Sequence, residues 1–329
     1  MINLEHKLNK LLKSFLKKLC INREEVTETI TEASRSNTYV ETVNSKLADS
    51  LHLNVSKNYA DTITSEFFRF IKPKILNQRF GLVDLVADIT EENFYGKHSG
   101  LYIHGWTGER GIVGKIRYLV VAILYRNKII PFYIEILSLG AFKAESLGKA
   151  IHYCNSLGLK IRNMFLDRGF YSGDIINTLQ INKVNYLIFV PKNKFIKRMI
   201  DEKKEDCIIQ HEIKYTKEKS VYKAISDYAL IHDYLDYVWV FATNIKLKEI
   251  TKYVSLYKKR WNIETMFRVH DEAKIKSKSV KPEIRLFYFV VSMLLLLIWN
   301  LYYKTEITFK KFVIDIHKEI ELELRRSAC

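Results

Sequence analysis

Apolar residues recur with helical spacing at the start of the chain and in strand-length runs further on. In Met1 to Cys20 they fall at Leu4, Leu8, Leu11, Leu12, Phe15, Leu16 and Leu19, with lysines between, which predicts an amphipathic helix. Val40, Val43, Leu47 and Leu51 place a helix over Thr38 to Leu53. The polar turn Asn54-Val55-Ser56 separates it from a second helix over Lys57 to Phe70, and the helical region closes near Pro73. From Gly81 the pattern changes, and Gly81 to Thr90 predicts a strand. A loop follows that holds Gly96, Gly100, Gly105, Gly108, Gly111 and Gly114. Tyr118 to Tyr125 and Ile129 to Leu137 flank Arg126-Asn127-Lys128 as a hairpin. Glu145 to Leu157 reads as a helix and Ile161 to Leu166 as a strand. A helix begins at Ser172, and the strand Tyr186 to Val190 is stopped by Pro191.

Three strands, helix, strand, helix, strand is the mixed α/β order of a ribonuclease-H-like sheet, although other α/β folds share parts of it. Cys207 to Tyr215, Val221 to Ile231 and Tyr237 to Ala242 add strands that interrupt this core, before one long helix from Lys248 to about Ile275. The expected organisation is a helical domain over 1–75, the first part of the core over 76–204, a β-strand insertion over 205–246 and core completion over 247–329. The two helices across residues 54–56 suit a helix-turn-helix DNA reader and equally an ordinary helical hairpin. The uncharged run Leu286 to Tyr303, with Lys281, Arg285 and Lys304 around it, could just cross a bilayer. A helix that is hydrophobic nearly all round is also one that is buried, and the sheet needs such a cover.

Charge narrows the partners. Lys and Arg number 53 against 37 Asp and Glu, a net charge of +16, which points to a polyanion, nucleic acid before an acidic membrane surface. Cys20, Cys154, Cys207 and Cys329 form no C-x-x-C pair and show no metal-site spacing, so a zinc or disulfide framework is not expected and a reducing interior fits. Met1 to Cys20 has no uninterrupted apolar stretch and no small-residue cleavage site, unlike a signal peptide.

Three acids stand out. Asp88 ends an apolar strand beside the glycine-rich loop; Asp84, four residues earlier on the same face, is its rival, and an Asp at a strand end is commonly just a turn former. Asp167, in Phe165-Leu166-Asp167-Arg168-Gly169-Phe170-Tyr171-Ser172, is delivered by a strand to the edge where α/β sheets form their sites, unless it merely pairs with Arg168. Glu264 shares a helical stripe with Tyr257, Arg260 and Arg268, a pattern that also fits a surface helix laced by Arg260–Glu264 and Glu264–Arg268 ion pairs. Trp261 could stack on an unpaired base or belong to the core. Between Lys246 and Arg285, twelve Lys and Arg face five Asp and Glu, a stretch suited to salt-sensitive binding of a nucleic-acid backbone.

Asp88 in Ala-Asp-Ile-Thr, Asp167 in Asp-Arg-Gly-Phe-Tyr and the run Tyr257-x2-Arg260-x3-Glu264 together resemble the DDE transposases of bacterial and archaeal insertion sequences. The group concerned carries a Y-x2-R-x3-E-x6-K stripe and a strand-rich insertion before the last acid. The resemblance runs from about Gly81 to Asn300 and departs at Asp271, where the family has lysine; Lys274 lies one turn on. It implies a ribonuclease-H-like core in which Asp88, Asp167 and Glu264 hold two Mg2+ ions, roughly 3.5–4 Å apart, with Mn2+ able to substitute. It also implies cleavage at transposon ends and transfer of the freed 3′ hydroxyl into target DNA. Tyr257, Arg260, Trp261, Arg268 and Lys274 would hold the DNA, whose terminal inverted repeats and target are the partners. A homodimer on DNA, no membrane, and the nucleoid of a prokaryotic cytoplasm complete the expectation. A catalytically silent DNA-binding derivative and a resolvase-type or repair nuclease are the alternatives.

Overall fold

A computed structural model describes residues 12–17, 19, 24–57, 60–97, 100–105, 108, 110–126, 128–217, 219–232 and 234–328. Four helices precede the sheet: α1 (Glu24–Arg35), α2 (Val40–Val43), α3 (Ser45–Val55) and α4 (Ala60–Leu76). Residues 12–17 are also helical, with Leu12, Phe15 and Leu16 buried. Most of the rest of the helix read over Met1 to Cys20 lies outside the described residues. The helix expected over Thr38 to Leu53 is divided at Asn44. That residue is extended (φ −153°, ψ 97°), and its side chain accepts from the Leu47 N–H at 3.1 Å, ending α2 and capping α3. The second helix, α4, runs through Pro73 to Leu76 rather than closing there. Pro73 is exposed, so water can satisfy the carbonyl that its missing N–H leaves unpaired.

The sheet is built from β1 (Leu82–Phe94), β2 (His104–Gly105), β3 (Gly114–Tyr125), β4 (Lys128–Ile136), β5 (Lys160–Leu166), β6 (Tyr186–Phe189), β7 (Cys207–Lys217), β8 (Ser220–Ile231) and β9 (Trp239–Thr243). Between them lie helices α5 (Lys143–Ser156), α6 (Gly173–Ile181) and α7 (Lys194–Lys203). β1, β3 and β4 are antiparallel neighbours, while β5 runs parallel to β1 and β6 parallel to β5. The order β4-β3-β1-β5-β6 is the expected mixed core. Residues 205–246 differ from the expectation of an interruption, because β9 pairs antiparallel with β6 and is followed by β8 and β7. They prolong the same sheet.

The long helix expected from Lys248 to Ile275 is also divided: α8 (Lys252–Tyr257), a 3-10 turn over Lys258–Arg260, and α9 (Trp261–Asp271). Next come α10 (Pro282–Tyr302) and α11 (Phe309–Ala328). α10 packs against β4, α3 and α4, and its apolar stretch is wholly buried, so the uncharged run is a core helix here, although it is long and apolar enough to cross a membrane. Each fully buried Leu, Val, Ile or Phe contributes about 1.5–3 kcal/mol, which makes α10 a principal support of the sheet. Arg285, expected as a basic flank, is itself buried and donates to Glu92 Oε1 at 3.0 Å and to the Ser279 carbonyl at 2.7 Å. One continuous apolar core joins Phe15, Ile30, Leu51 and Phe67 of the N-terminal helices to the strands and α10.

Candidate active site

The parallel register of β1 and β5 pairs Ala87 with Leu166. The next residues, Asp88 and Asp167, therefore stand at the same level. Asp167 follows the end of β5, but Asp88 is not the strand end expected from the sequence, because β1 stays paired with β3 through Asp88↔Val120 and on to Phe94. Neighbouring strands lie about 4.8 Å apart, which sets the two carboxylates side by side. Both line a cavity of about 400 Å3 whose walls include His104, Arg117 and Lys143. Asp88 Oδ1 accepts from the Ile89 N–H at 2.8 Å. Asp167 caps the 3-10 turn Arg168–Phe170, its Oδ1 accepting from the Gly169 N–H at 2.9 Å. A Cβ on Gly169 would stand 3.1 Å from that oxygen, so a side chain there would oblige the carboxylate to shift by a few tenths of an ångström.

Glu264 borders an adjoining cavity of about 510 Å3, and Asp167 borders both. Phe189, Tyr237 and Trp239 make an aromatic wall there, with Trp261 on the rim. The buried Arg260 guanidinium is ion-paired with Glu264, which is otherwise exposed. Burial, helped by the charges of Asp167 and Glu264, pushes the Asp88 carboxyl up to about 6, against the Ile89 N–H and Arg260, which favour its charged form. The three acids thus act on one another electrostatically. Among the described residues, no three acidic, His or Cys side chains are gathered closely enough to enclose an ion. Glu264 is instead engaged with Arg260.

Asp84, the rival to Asp88, is held by cations. Its side chain is 3% exposed and accepts from Arg162 Nε at 2.8 Å, Asn163 Nδ2 at 2.9 Å and Lys259 Nζ at 3.0 Å. Those partners outweigh burial and hold its carboxyl below the usual range. Tyr257 is buried with its ring 5.0 Å from Phe241 and 5.9 Å from Phe189; burial pushes its phenol up. Trp261 is 47% exposed at the cavity rim rather than in the core. Arg268 is exposed and lines neither cavity, and the Glu264–Arg268 ion pair does not form among the described residues. Lys274 faces a separate hollow with Glu92 and Arg285. The basic stretch from Lys246 to Arg285 is partly spent internally: Lys246, Lys252, Lys259, Arg260 and Arg285 pair with Asp227, Glu249, Asp84, Glu264 and Glu92. Sequence reasoning passed over His104, Lys143 and the aromatic wall. The glycine-rich loop beside Asp88 was a signal for the first; nothing in the spacing marked the others.

Two acids level with one another on adjacent parallel strands, Asp88 within β1 and Asp167 at the end of β5, with a third on a helix beside them, fit a ribonuclease-H-like fold with an acidic centre. Residues 145–301, which include Asp167 and Glu264, match the family model of the transposase DDE domain. DDE domains generally use divalent metal ions. Comparison with curated proteins gives no match. A piggyBac transposase structure, a synaptic complex with hairpin DNA seen by electron cryo-microscopy, superimposes with a TM-score of 0.57 at 12% identity. The superposition covers 85% of this chain and 61% of that one, so the chain spans about three fifths of that protein, and the likeness is one of fold.

Proposed function

We propose that the protein is a DNA transposase that cuts at transposon ends and joins the freed 3′ hydroxyl to target DNA. The observation that carries the reading is the placement of Asp88 on β1 beside Asp167 at the end of β5, in a chain whose residues 145–301 are similar to the transposase DDE domain. The donors fit a divalent ion by chemistry: carboxylate oxygens are the hard ligands that Mg2+ prefers. The field fits as well, since burial, with the charges of Asp167 and Glu264, makes Asp88 resist ionisation despite Arg260, a cost that a bound cation would relieve. Asp88 and Asp167 would hold the metal, and Glu264 would join them on leaving Arg260. Two Mg2+ ions, for which Mn2+ would substitute, would supply activation of the attacking oxygen and stabilisation of the leaving one.

The chain's own groups do the rest. Arg260, freed by the same exchange, presents a planar fork suited to a phosphate of the DNA end. Trp261, at the rim beside the aromatic wall, offers a stacking face to an unpaired base. Gly169 keeps Asp167 aimed into the cavity by its N–H. Buried Tyr257 backs the site through its ring, and Arg268 and Lys274 would meet DNA only beyond the cavities. Two ends must be brought together, so a homodimer on DNA is part of the proposal. The test is incubation of the wild-type chain with Mg2+, DNA carrying its terminal repeats and a target plasmid. Joined products support the reading; cut products without joining favour a nuclease, and DNA binding alone favours a silent derivative.

A further inference from the structure

Part of the basic stretch near the acids is paired internally, and the chain's excess of +16 includes cations outside that stretch. A hollow of about 440 Å3 lies at the opposite end of β1, and no acidic side chain lines it. Three parts of the chain meet there. Arg79 and Phe80 lead into β1, Tyr125, Arg126 and Lys128 form the β3–β4 turn, and Lys304 follows α10. The Tyr125 ring stands edge-on to Phe80 at 5.0 Å, and the Arg126 guanidinium lies 5.3 Å over it. Among the described residues, Arg79, Arg126 and Lys128 have no carboxylate partner. Lys128 donates to the Leu301 carbonyl at 2.6 Å, a helix-end contact that accounts for its own place; Arg79 and Arg126 are exposed and have no such duty. Burial, with the charge of Lys128, holds the Lys304 ammonium below its ordinary range.

We propose that this hollow, at the start of β1 and along the strand from the acids, is a second contact for the DNA backbone, taking a phosphate of duplex. The inference rests on the DNA-processing reading above and adds a site to it. Eight residues of extended chain separate Phe80 from Asp88, about 25 Å at 3.3 Å per residue. At 3.4 Å per base pair that is on the order of eight base pairs, so a duplex held at the acids would have to extend at least that far.

The test uses the full chain and the double variant Arg79→Asn/Arg126→Asn. Both positions have left-handed backbone (φ 48° and 55°), which Asn tolerates well, so the fold is kept. Binding of a duplex of about 30 base pairs is measured across salt concentrations, since each phosphate contact contributes about 0.9 to the slope of log K against log salt. The expected result is a slope smaller by about 1–2, with unchanged melting temperature and unchanged cleavage of a duplex too short to reach the hollow. An unchanged slope overturns the proposal. So does a site satisfied by inorganic phosphate, seen as stabilisation of the wild type but not the variant with equal DNA slopes. Wild-type protein without salt-sensitive DNA binding sinks this inference and the transposase reading together. An arginine-dependent slope in a protein that neither cuts nor joins DNA leaves the site standing and removes only that reading.

Discussion

Lys259 reaches back 3.0 Å to Asp84 and so ties the turn carrying Arg260 to the strand carrying Asp88. One carboxylate, which also holds Arg162 and Asn163, thereby fixes how the Glu264 helix sits against β1. Asp84→Asn should loosen that setting. The expected outcome is a joining rate lower by about tenfold, equivalent to about 1.4 kcal/mol, with DNA affinity nearly unchanged. Lys259→Arg should restore most of it. Because Asp84 is held below its ordinary range, its contribution to stability is present at neutral pH and lost as pH falls through that lowered value. Urea titrations of the wild type and Asp84→Asn at neutral and acidic pH measure this.

Asp88 has the opposite sign. Its carboxyl is raised from 3.8 to about 6, so between those values the folded chain binds more protons than the unfolded one. Stability of the metal-free protein should therefore fall as pH rises from about 4 to 6. Asp88→Asn should remove that slope and stabilise the metal-free chain above pH 6 by on the order of 1–2 kcal/mol, after allowance for partial exposure. Metal affinity should rise over the same interval, because binding must displace the proton. A thermal melt series across pH, with and without Mg2+, reads both trends.

The parts of the fold that were legible in the sequence are those where local pattern and tertiary packing agree. β1, the β3–β4 hairpin, α5 and β5 carry strong apolar runs, and their ends fell within a few residues of the expected ones. Asp167 could be singled out because it ends such a strand, and Asp88 because the apolar run stops there, although β1 itself goes on to Phe94. The stripe at Tyr257, Arg260 and Glu264 was legible too, but not the break in its helix, since the 3-10 turn coincides with Lys259 leaning on Asp84, a long-range contact with no local mark. The same holds for β9, whose pairing with β6 joins the strands over 205–246 to the edge of the core sheet. α7 and α11, with their charged faces, gave too weak an apolar signal to be named.

Gly169 offers a narrow test of the Asp167 geometry. Gly169→Ala would put a methyl group 3.1 Å from Oδ1, closer than van der Waals contact comfortably allows, while the backbone bond to that oxygen could persist. Metal affinity should drop by about tenfold or more, with folding stability changed by under about 1 kcal/mol. Calorimetric titration with Mn2+ alongside a thermal melt separates the two.

Trp261 is exposed at the cavity rim, so its removal should cost little stability. If it stacks on an unpaired base, Trp261→Ala should weaken binding of DNA with a single-stranded end by about 1–3 kcal/mol and leave blunt duplex binding nearly unchanged. Fluorescence anisotropy with the two DNA forms makes the comparison. Equal losses on both would assign Trp261 to general packing at the rim.

The central claim is that Asp88, Asp167 and Glu264 act as one centre. It is tested most directly by Mg2+-dependent joining of terminal-repeat DNA to a target plasmid with Asp88→Asn, Asp167→Asn and Glu264→Gln, each checked for an unchanged fold by circular dichroism. The account predicts that each single variant loses joining by at least about a thousandfold while still binding DNA, and that any two together lose little more than one, as for groups acting as a unit. Joining at the wild-type rate by any one of the three would contradict it.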